Sequence, residues 1–311
     1  MGILRSWFSG VWRVVRAPAV VTGLYVLILV LAAPLGAWLQ LSLPSPEVVD
    51  VVDANDPPAP DVDWLDEVSL RAPGLARFLT PAVIGVAAPI GHLDAILDGR
   101  RPPMPLLIPI AVFFLCWTAV WGGVVERLAQ GRRIGVSAAM AASRRSMGRL
   151  LILGLTGGAA YLVLYLAVHA VMFGPLYEWL TDGAIERTAF IWRVALAVVF
   201  GVLLLALSQL LDFAKLAIIL GRASVRQAVS DSGKLLRERL LTVMALLLFS
   251  GLGLVVLLGG YAASEFIPGG SVPSLARVIV GGQALILGRL LLRLVLAGGQ
   301  VDLYLRSRSA S

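Results

Sequence analysis

Long apolar stretches separated by polar and basic segments dominate the pattern along this chain of 311 residues. A helix needs about 20 mostly apolar residues to cross the roughly 30 Å hydrocarbon layer of a membrane. Six stretches reach that length, at about 20–42, 104–125, 150–174, 190–211, 240–262 and 276–297. The pattern therefore predicts an all-α, polytopic integral membrane protein with six transmembrane helices, forming a single membrane domain over residues 1–311.

Composition supports this class, since 59% of the residues are hydrophobic and only 14% are charged. A soluble domain carries about 25% charged residues. The single cysteine, Cys116, and the two histidines, His92 and His169, exclude a disulfide framework and a multi-histidine metal centre within the chain. We expect no cofactor and no enzymatic activity, because no nucleophile–base set, phosphate loop or zinc motif occurs.

The distribution of charge predicts the topology. The N-terminus, the loops 126–149 and 212–239 and the C-terminal tail together hold 17 basic and 5 acidic residues, whereas the segments on the other side hold 7 and 14. Cytoplasmic loops are enriched in Lys and Arg. Both termini are therefore expected in the cytoplasm, and the net charge of +7 reflects membrane orientation rather than nucleic-acid binding.

The first external connection, 43–103, is predicted to be an acidic loop. Eight acidic residues and five prolines lie between Pro44 and Glu67, a composition typical of solvated, extended chain. Such a loop could bind cations or a partner, or could simply be held outside by topology. Within it, "LTPAVIGVAAPIGHLDAIL", residues 79–97, is too short in its apolar part to span and is predicted to be re-entrant or interfacial.

The two large cytoplasmic connections resemble each other. They read "GRRIGVSAAMAASRRSMGRLLIL" from Gly131 and "GRASVRQAVSDSGKLLRERLLTV" from Gly221. With one residue of slack, the aligned pairs are Val136 and Val225, Ala139 and Ala228, Ser143 and Ser232, and Arg145 and Lys234. This predicts a weak parallel repeat of helix, basic amphipathic connector and helix. The connectors either lie on the cytoplasmic leaflet and contact anionic lipid or are ordinary basic loops.

The second connection carries a resemblance to a known group. The run "LLDFAKLAIILGRASVRQAVSDSGKLL", residues 210–236, is similar to the inner-loop motif of the glycerophosphoryl diester phosphodiesterase membrane-domain-like superfamily of bacterial six-helix membrane proteins. The resemblance implies an α-helical module of the bacterial cytoplasmic (inner) membrane. The phosphodiesterase domain itself has no counterpart in this sequence, so hydrolysis is not implied.

Ionisable groups inside spans are costly and are functional candidates by default. Asp212 and Lys215, three residues apart, are expected to pair with each other or with interfacial water. Alternatively, Lys215 pairs with Glu126, its counterpart in the repeat. His169 is expected to form a structural hydrogen bond between helices, with a proton relay as the alternative.

The last apolar stretch, "ALILGRLLLRLVLAGGQ", contains two arginines on one helical face. Arg293 is predicted to lie at the interface, where its side chain reaches the headgroups. Arg289 lies deeper and is the best candidate for a buried functional charge, with Gln209, Asp212, Gln283 or an anionic ligand as its partner.

These features predict a non-catalytic membrane protein, an accessory or scaffold module that binds membrane lipids, anionic ones included, or a partner membrane protein. A small-solute or lipid transporter with a site at Arg289 is the alternative. The residues expected to contact lipid headgroups are Arg132, Arg133, Arg144, Arg145, Arg222, Arg226 and Lys234.

Overall fold

The computed structural model describes residues 2–42, 107–131, 135–265 and 274–309, and every regular element within these ranges is helical. The helices are α1 (Gly2–Val15), α2 (Pro18–Ser42), α3 (Leu107–Gln130), α4 (Val136–Val163), α5 (Tyr177–Thr181), α6 (Glu186–Leu220), α7 (Val225–Glu238), α8 (Leu240–Glu265) and α9 (Ser274–Ser309). The π-helical turns Leu164–His169 and Met172–Leu176 join α4 to α5. The all-α class is thereby confirmed for the described residues.

Five helical stretches among the described residues are long and apolar enough to cross a membrane. The count becomes six if Leu4–Val15 and Pro18–Pro34, which meet at a bend of 76°, form one span. The described residues of all six predicted apolar runs are helical. For the second run, 104–125, the described residues begin at 107. Several helices extend well beyond the predicted limits, so hydropathy located the apolar centres but not the polar ends.

The chain divides into two compact units. One comprises Met1–Thr22 and Phe114–Ser311, and the other Gly23–Phe113. The described part of the second unit is the remainder of α2 and the first turns of α3. The predicted acidic loop 43–103, with its segment 79–97, lies outside the described residues, as do Arg132 and Arg133.

The buried core of the first unit lies where α6 meets α7 and the neighbouring helices. Phe213, Ala214 and Ile218 of α6 are fully buried, and Ala228 of α7 packs in the same cluster. Elsewhere the helices expose large apolar side chains, such as Leu155 at 73%. Apolar surface of that extent is typical of helices that face lipid.

The second connector forms the predicted amphipathic helix, but its apolar face contacts protein. Val225, Val229, Leu235 and Leu236 of α7 all belong to or pack against the core cluster. The Ser224 hydroxyl caps the N-terminus of this helix by accepting a hydrogen bond from the Gln227 backbone N–H at 3.4 Å. This face packs on the bundle and is therefore not available to a membrane leaflet.

The first connector differs from the prediction of a separate element. Residues from Val136 onward form the first turns of α4, which continues without a break to Val163. Alanine, methionine and leucine favour this continuity. In contrast, α7 ends at Glu238, and the next residue, Arg239, has φ and ψ of −121° and 22°, which are not helical. The two connectors therefore share sequence features but not helix boundaries.

Candidate functional site

A buried carboxylate, Asp302 of α9, holds the N-terminal helix against the bundle. Its side chain accepts hydrogen bonds from the hydroxyls of Ser6 and Ser9, at 3.2 and 3.1 Å. Two guanidinium groups are its ion-pair partners, Arg306 at 2.8 Å and Arg13 at 3.6 Å. Asp302 is 7% exposed, so these four partners offset most of the cost of burying its charge.

Two arginines cap each other's helices at the same end of the bundle. Arg13 of α1 donates to the carbonyl oxygens of Leu128 and Ala129, at 2.6 and 3.0 Å, in the last turn of α3. Arg127 of α3 donates to the carbonyl of Arg16 at 2.6 Å, just after α1 ends. The last carbonyls of a helix lack partners within the helix and carry partial negative charge, which a guanidinium satisfies. These reciprocal caps fix α1 to α3.

Glycines permit α1 and α9 to touch backbone to backbone. A Cβ at Gly10 would overlap the carbonyl oxygen of Val295, and one at Gly298 would lie 2.9 Å from the Cα of Gly10. Small residues at such a crossing are the usual means of close helix packing in membranes. The close approach brings Ser6 and Ser9 within reach of Asp302.

A polar cavity of about 330 Å³ lies between the ends of α3, α4 and α6. Its charged lining comprises Arg145, Arg149, Arg222 and Glu126, and buried Ser146 adds a hydroxyl. Three guanidinium groups against one carboxylate leave a net charge of about +2. The cavity is therefore suited to an anion.

Backbone geometry explains how Arg149 and Arg222 come to line this cavity. Arg149 donates to the carbonyl oxygens of Arg222 and Ala223 at 2.8 and 3.1 Å. Arg222 has φ = 54°, which is a left-handed conformation. The residue that adopts this conformation at the end of a helix is usually glycine. The preceding residue is glycine instead, because a Cβ at Gly221 would lie 2.7 Å from the backbone carbonyl oxygen of Ala217 and 2.7 Å from the Tyr304 hydroxyl.

The structure separates the remaining predicted lipid contacts from this cavity. Of the five predicted residues that are described, Arg145 and Arg222 line it. Arg144, Arg226 and Lys234 are exposed outside it, and Lys234 lines a second cavity with Asp231 and Tyr304. The sequence analysis did not single out Arg149, because the basic charge of its segment is shared with several neighbouring arginines.

The predicted buried charge at Arg289 is wrong, because this side chain is exposed on α9. Two of its proposed partners bond elsewhere, Gln209 to Gln300 and Asp212 to Lys215. Arg293, one turn further along, places its guanidinium carbon 4.5 Å from the centre of the Trp117 ring. Cation–π attraction to α3 thus holds Arg293.

Lys215 pairs within its own helix. Its ammonium lies 2.7 Å from the Asp212 carboxylate, as the first of the two alternatives predicts. The half-buried Glu126 instead accepts a hydrogen bond from the Gln130 side chain at 2.8 Å and lines the arginine cavity. A spacing of three residues brings Asp212 and Lys215 together at little entropic cost.

His169 lies in an aromatic cluster at the π-helical turns. Its ring stacks on Phe173 at 4.5 Å between centroids and meets the buried Phe200 of α6 edge-on at 5.0 Å. Tyr165 completes the cluster. No group of three or more metal-ligating side chains occurs among the described residues. His92 lies outside the described residues. These contacts support a packing role for His169.

Gln209 of α6 and Gln300 of α9 form a buried amide pair, 3% and 5% exposed, with the Gln300 amide donating at 2.8 Å. Replacing Gln300 with alanine is expected to lower the free energy of unfolding by about 1–2 kcal/mol, because Gln209 then lacks its partner and a cavity forms. Thermal unfolding in detergent measures this. Replacing both glutamines with leucine should recover part of the loss, and a larger loss in the double variant would contradict the pairing.

Comparison with protein-family models, curated proteins and solved structures finds no match to this chain. The described residues define the class by themselves: an all-helical protein with five or six candidate membrane spans. Its resemblance over residues 210–236 to the phosphodiesterase membrane-domain-like superfamily stays a prediction.

Proposed function

We propose that this protein is a non-catalytic membrane module that binds the phosphate of anionic lipid headgroups in the arginine cavity. The cavity is the observation that carries this proposal, because Arg145, Arg149 and Arg222 surround it with one carboxylate, Glu126. Guanidinium groups form paired hydrogen bonds with phosphate oxygens and are the preferred ligands for that geometry. A membrane module that binds lipid stably without catalysing a reaction is suited to an accessory or scaffold role.

The position of the cavity within the bundle supports the same function. It lies at the ends of α3 and α6 and the beginning of α4, where exposed arginines also gather. We place this end in the cytoplasm, with both termini, on the basis of the positive charge excess. We propose six spans from the six apolar stretches of the sequence, and a bacterial inner membrane from the resemblance over residues 210–236. In that orientation we expect the cavity to lie at the level of the headgroup phosphates. The burial of Ser143 and Ser232 at aligned positions supports the parallel repeat.

The transporter alternative rested on the parallel repeat and on a buried Arg289, and that residue is exposed on α9. Of these two grounds, the repeat still supports it. A partner membrane protein remains a proposed companion of the lipid-bound module, with the exposed helix faces as its contact surface.

Removing two cavity charges is expected to weaken binding of phosphatidylglycerol at least about tenfold, a change that corresponds to 1.4 kcal/mol. The variant is Arg145→Gln with Arg222→Gly. It leaves the Arg149 side chain in place and puts glycine in the left-handed position, so the fold should persist. Native mass spectrometry of the whole chain, extracted gently from its membrane and titrated with phosphatidylglycerol, measures the affinity.

The matched control removes two exposed charges from α7, in Arg226→Gln with Arg237→Gln. An equal loss in this control would show diffuse attraction and overturn the cavity as the site. No loss in either variant would overturn lipid binding by these residues. Competition by inorganic phosphate separates recognition of phosphate alone from recognition of the whole lipid. A stoichiometric companion protein without bound lipid would favour the scaffold role by itself.

A further inference from the structure

The N-terminal helix α1 has two faces of different character. Ser6, Gly10 and Val14 are buried on the face that meets the bundle. The opposite face exposes four large apolar side chains at helical spacing, which we call the outer stripe. Its members are Leu4, Phe8, Trp12 and Val15, at 53%, 65%, 56% and 64% exposure. Both faces are thus apolar in part, but within the described residues only one of them is covered.

The borders of the outer stripe are basic. Arg5 and Arg16 are exposed beside it, and the Arg16 guanidinium lies 4.3 Å from the centre of the Trp12 ring. The helix Gly2–Val15 contains no acidic residue. A helix that combines an apolar stripe with arginine and tryptophan at its edge matches the chemistry of an anionic membrane surface.

The bundle fixes α1 in place. Asp302 binds its serines and Arg13, and the reciprocal caps join it to the last turn of α3. Glu126, in that same turn of α3, lines the arginine cavity. The outer stripe and the cavity therefore lie at the same end of the bundle.

We infer that α1 is an interfacial helix, fixed to the bundle, whose outer stripe is immersed at the boundary between lipid headgroups and acyl chains. Trp12 and Arg16 lie at the headgroup level, where an amphipathic ring and a guanidinium are both favoured. This inference depends on the stripe and its charges alone, so it does not require lipid to enter the arginine cavity.

The test is depth-dependent quenching of a fluorophore on a single cysteine, in the full chain with Cys116→Ala, reconstituted in phosphatidylcholine–phosphatidylglycerol vesicles. Phe8→Cys places the fluorophore on the stripe. Two exposed positions are references: Arg237→Cys on α7 for water and Leu252→Cys at the centre of α8 for the acyl core. Iodide quenches from water, and lipids brominated near or far from the headgroup quench from defined depths.

We expect iodide to quench the fluorophore at position 8 several-fold less than at position 237, and lipids brominated near the headgroup to quench it most. Quenching by iodide equal to that at position 237 would overturn the inference, because the stripe would face water. Greatest quenching by deep bromines, as at position 252, would make α1 part of a span. Protection from every quencher would show that protein covers the stripe. Val15→Cys repeats the test should Phe8→Cys fail to fold.

Discussion

Replacing Asp302 with alanine is expected to lower the free energy of unfolding by about 3 kcal/mol or more. The substitution leaves Arg13 and Arg306 without a buried counter-charge and removes the acceptor for the hydroxyls of Ser6 and Ser9. Unfolding in detergent by heat measures the loss. Faster trypsin cleavage after Arg13 should accompany it, because α1 separates from the bundle before global unfolding.

Asp212→Ala is the matched control. This carboxylate also binds a basic side chain, Lys215, but is about one-third exposed. Such a pair contributes only about 0–1 kcal/mol, so a small loss is expected. Arg13→Ala combined with Asp302→Ala tests the coupling, because residues in one network give non-additive losses. Fully additive losses, or equal losses at Asp212 and Asp302, would contradict the network.

Replacing Gly10 with alanine is expected to destabilise the protein by about 1–3 kcal/mol, the usual cost of overpacking. The added methyl group would overlap the Val295 carbonyl oxygen, which is backbone and cannot turn aside. Thermal unfolding measures the loss. Gly298→Ala should behave similarly, since its Cβ would meet the backbone of Gly10 from the other side.

Gly251→Ala on α8 is the control for this pair. It lies within a helix, and no atom of another helix lies within 4 Å of the added Cβ. The change should be within about 1 kcal/mol and in the stabilising direction, because alanine loses less conformational entropy than glycine in a helix. A loss at Gly10 no larger than at Gly251 would show that α1 and α9 do not cross closely.

The candidate site could be predicted only in part. Arg145 and Arg222 were expected to meet lipid because they belong to basic connectors, and both line the cavity. Asp302 could not be singled out, because its burial depends on Ser6, Ser9 and Arg13, which lie almost 300 residues away. Arg289 was misjudged because a helix with apolar residues on all faces gives no signal for which face is buried.

The glycine motif of the third apolar stretch illustrates the same distinction. Gly154 and Gly158 are four residues apart in the sequence, a spacing typical of helices that pack through small residues. In the structure, Gly154 lies against the Phe114 ring and Gly157 against Leu211, whereas no atom of another helix lies within 4 Å of a Cβ added at Gly158. Composition predicted close packing on this helix. The rotation of the helix, set by its neighbours, decided which glycine is used.

The sequence by itself determined the helical class, the apolar runs and the amphipathic character of residues 225–236. Those properties depend on local composition and periodicity, because an apolar run of sufficient length must satisfy its backbone hydrogen bonds internally in lipid. Only the tertiary structure decided that α7 packs on protein and that Asp302 is buried. It also decided that α1 is held by reciprocal arginine caps. These depend on contacts between distant segments, whose partners no local pattern specifies.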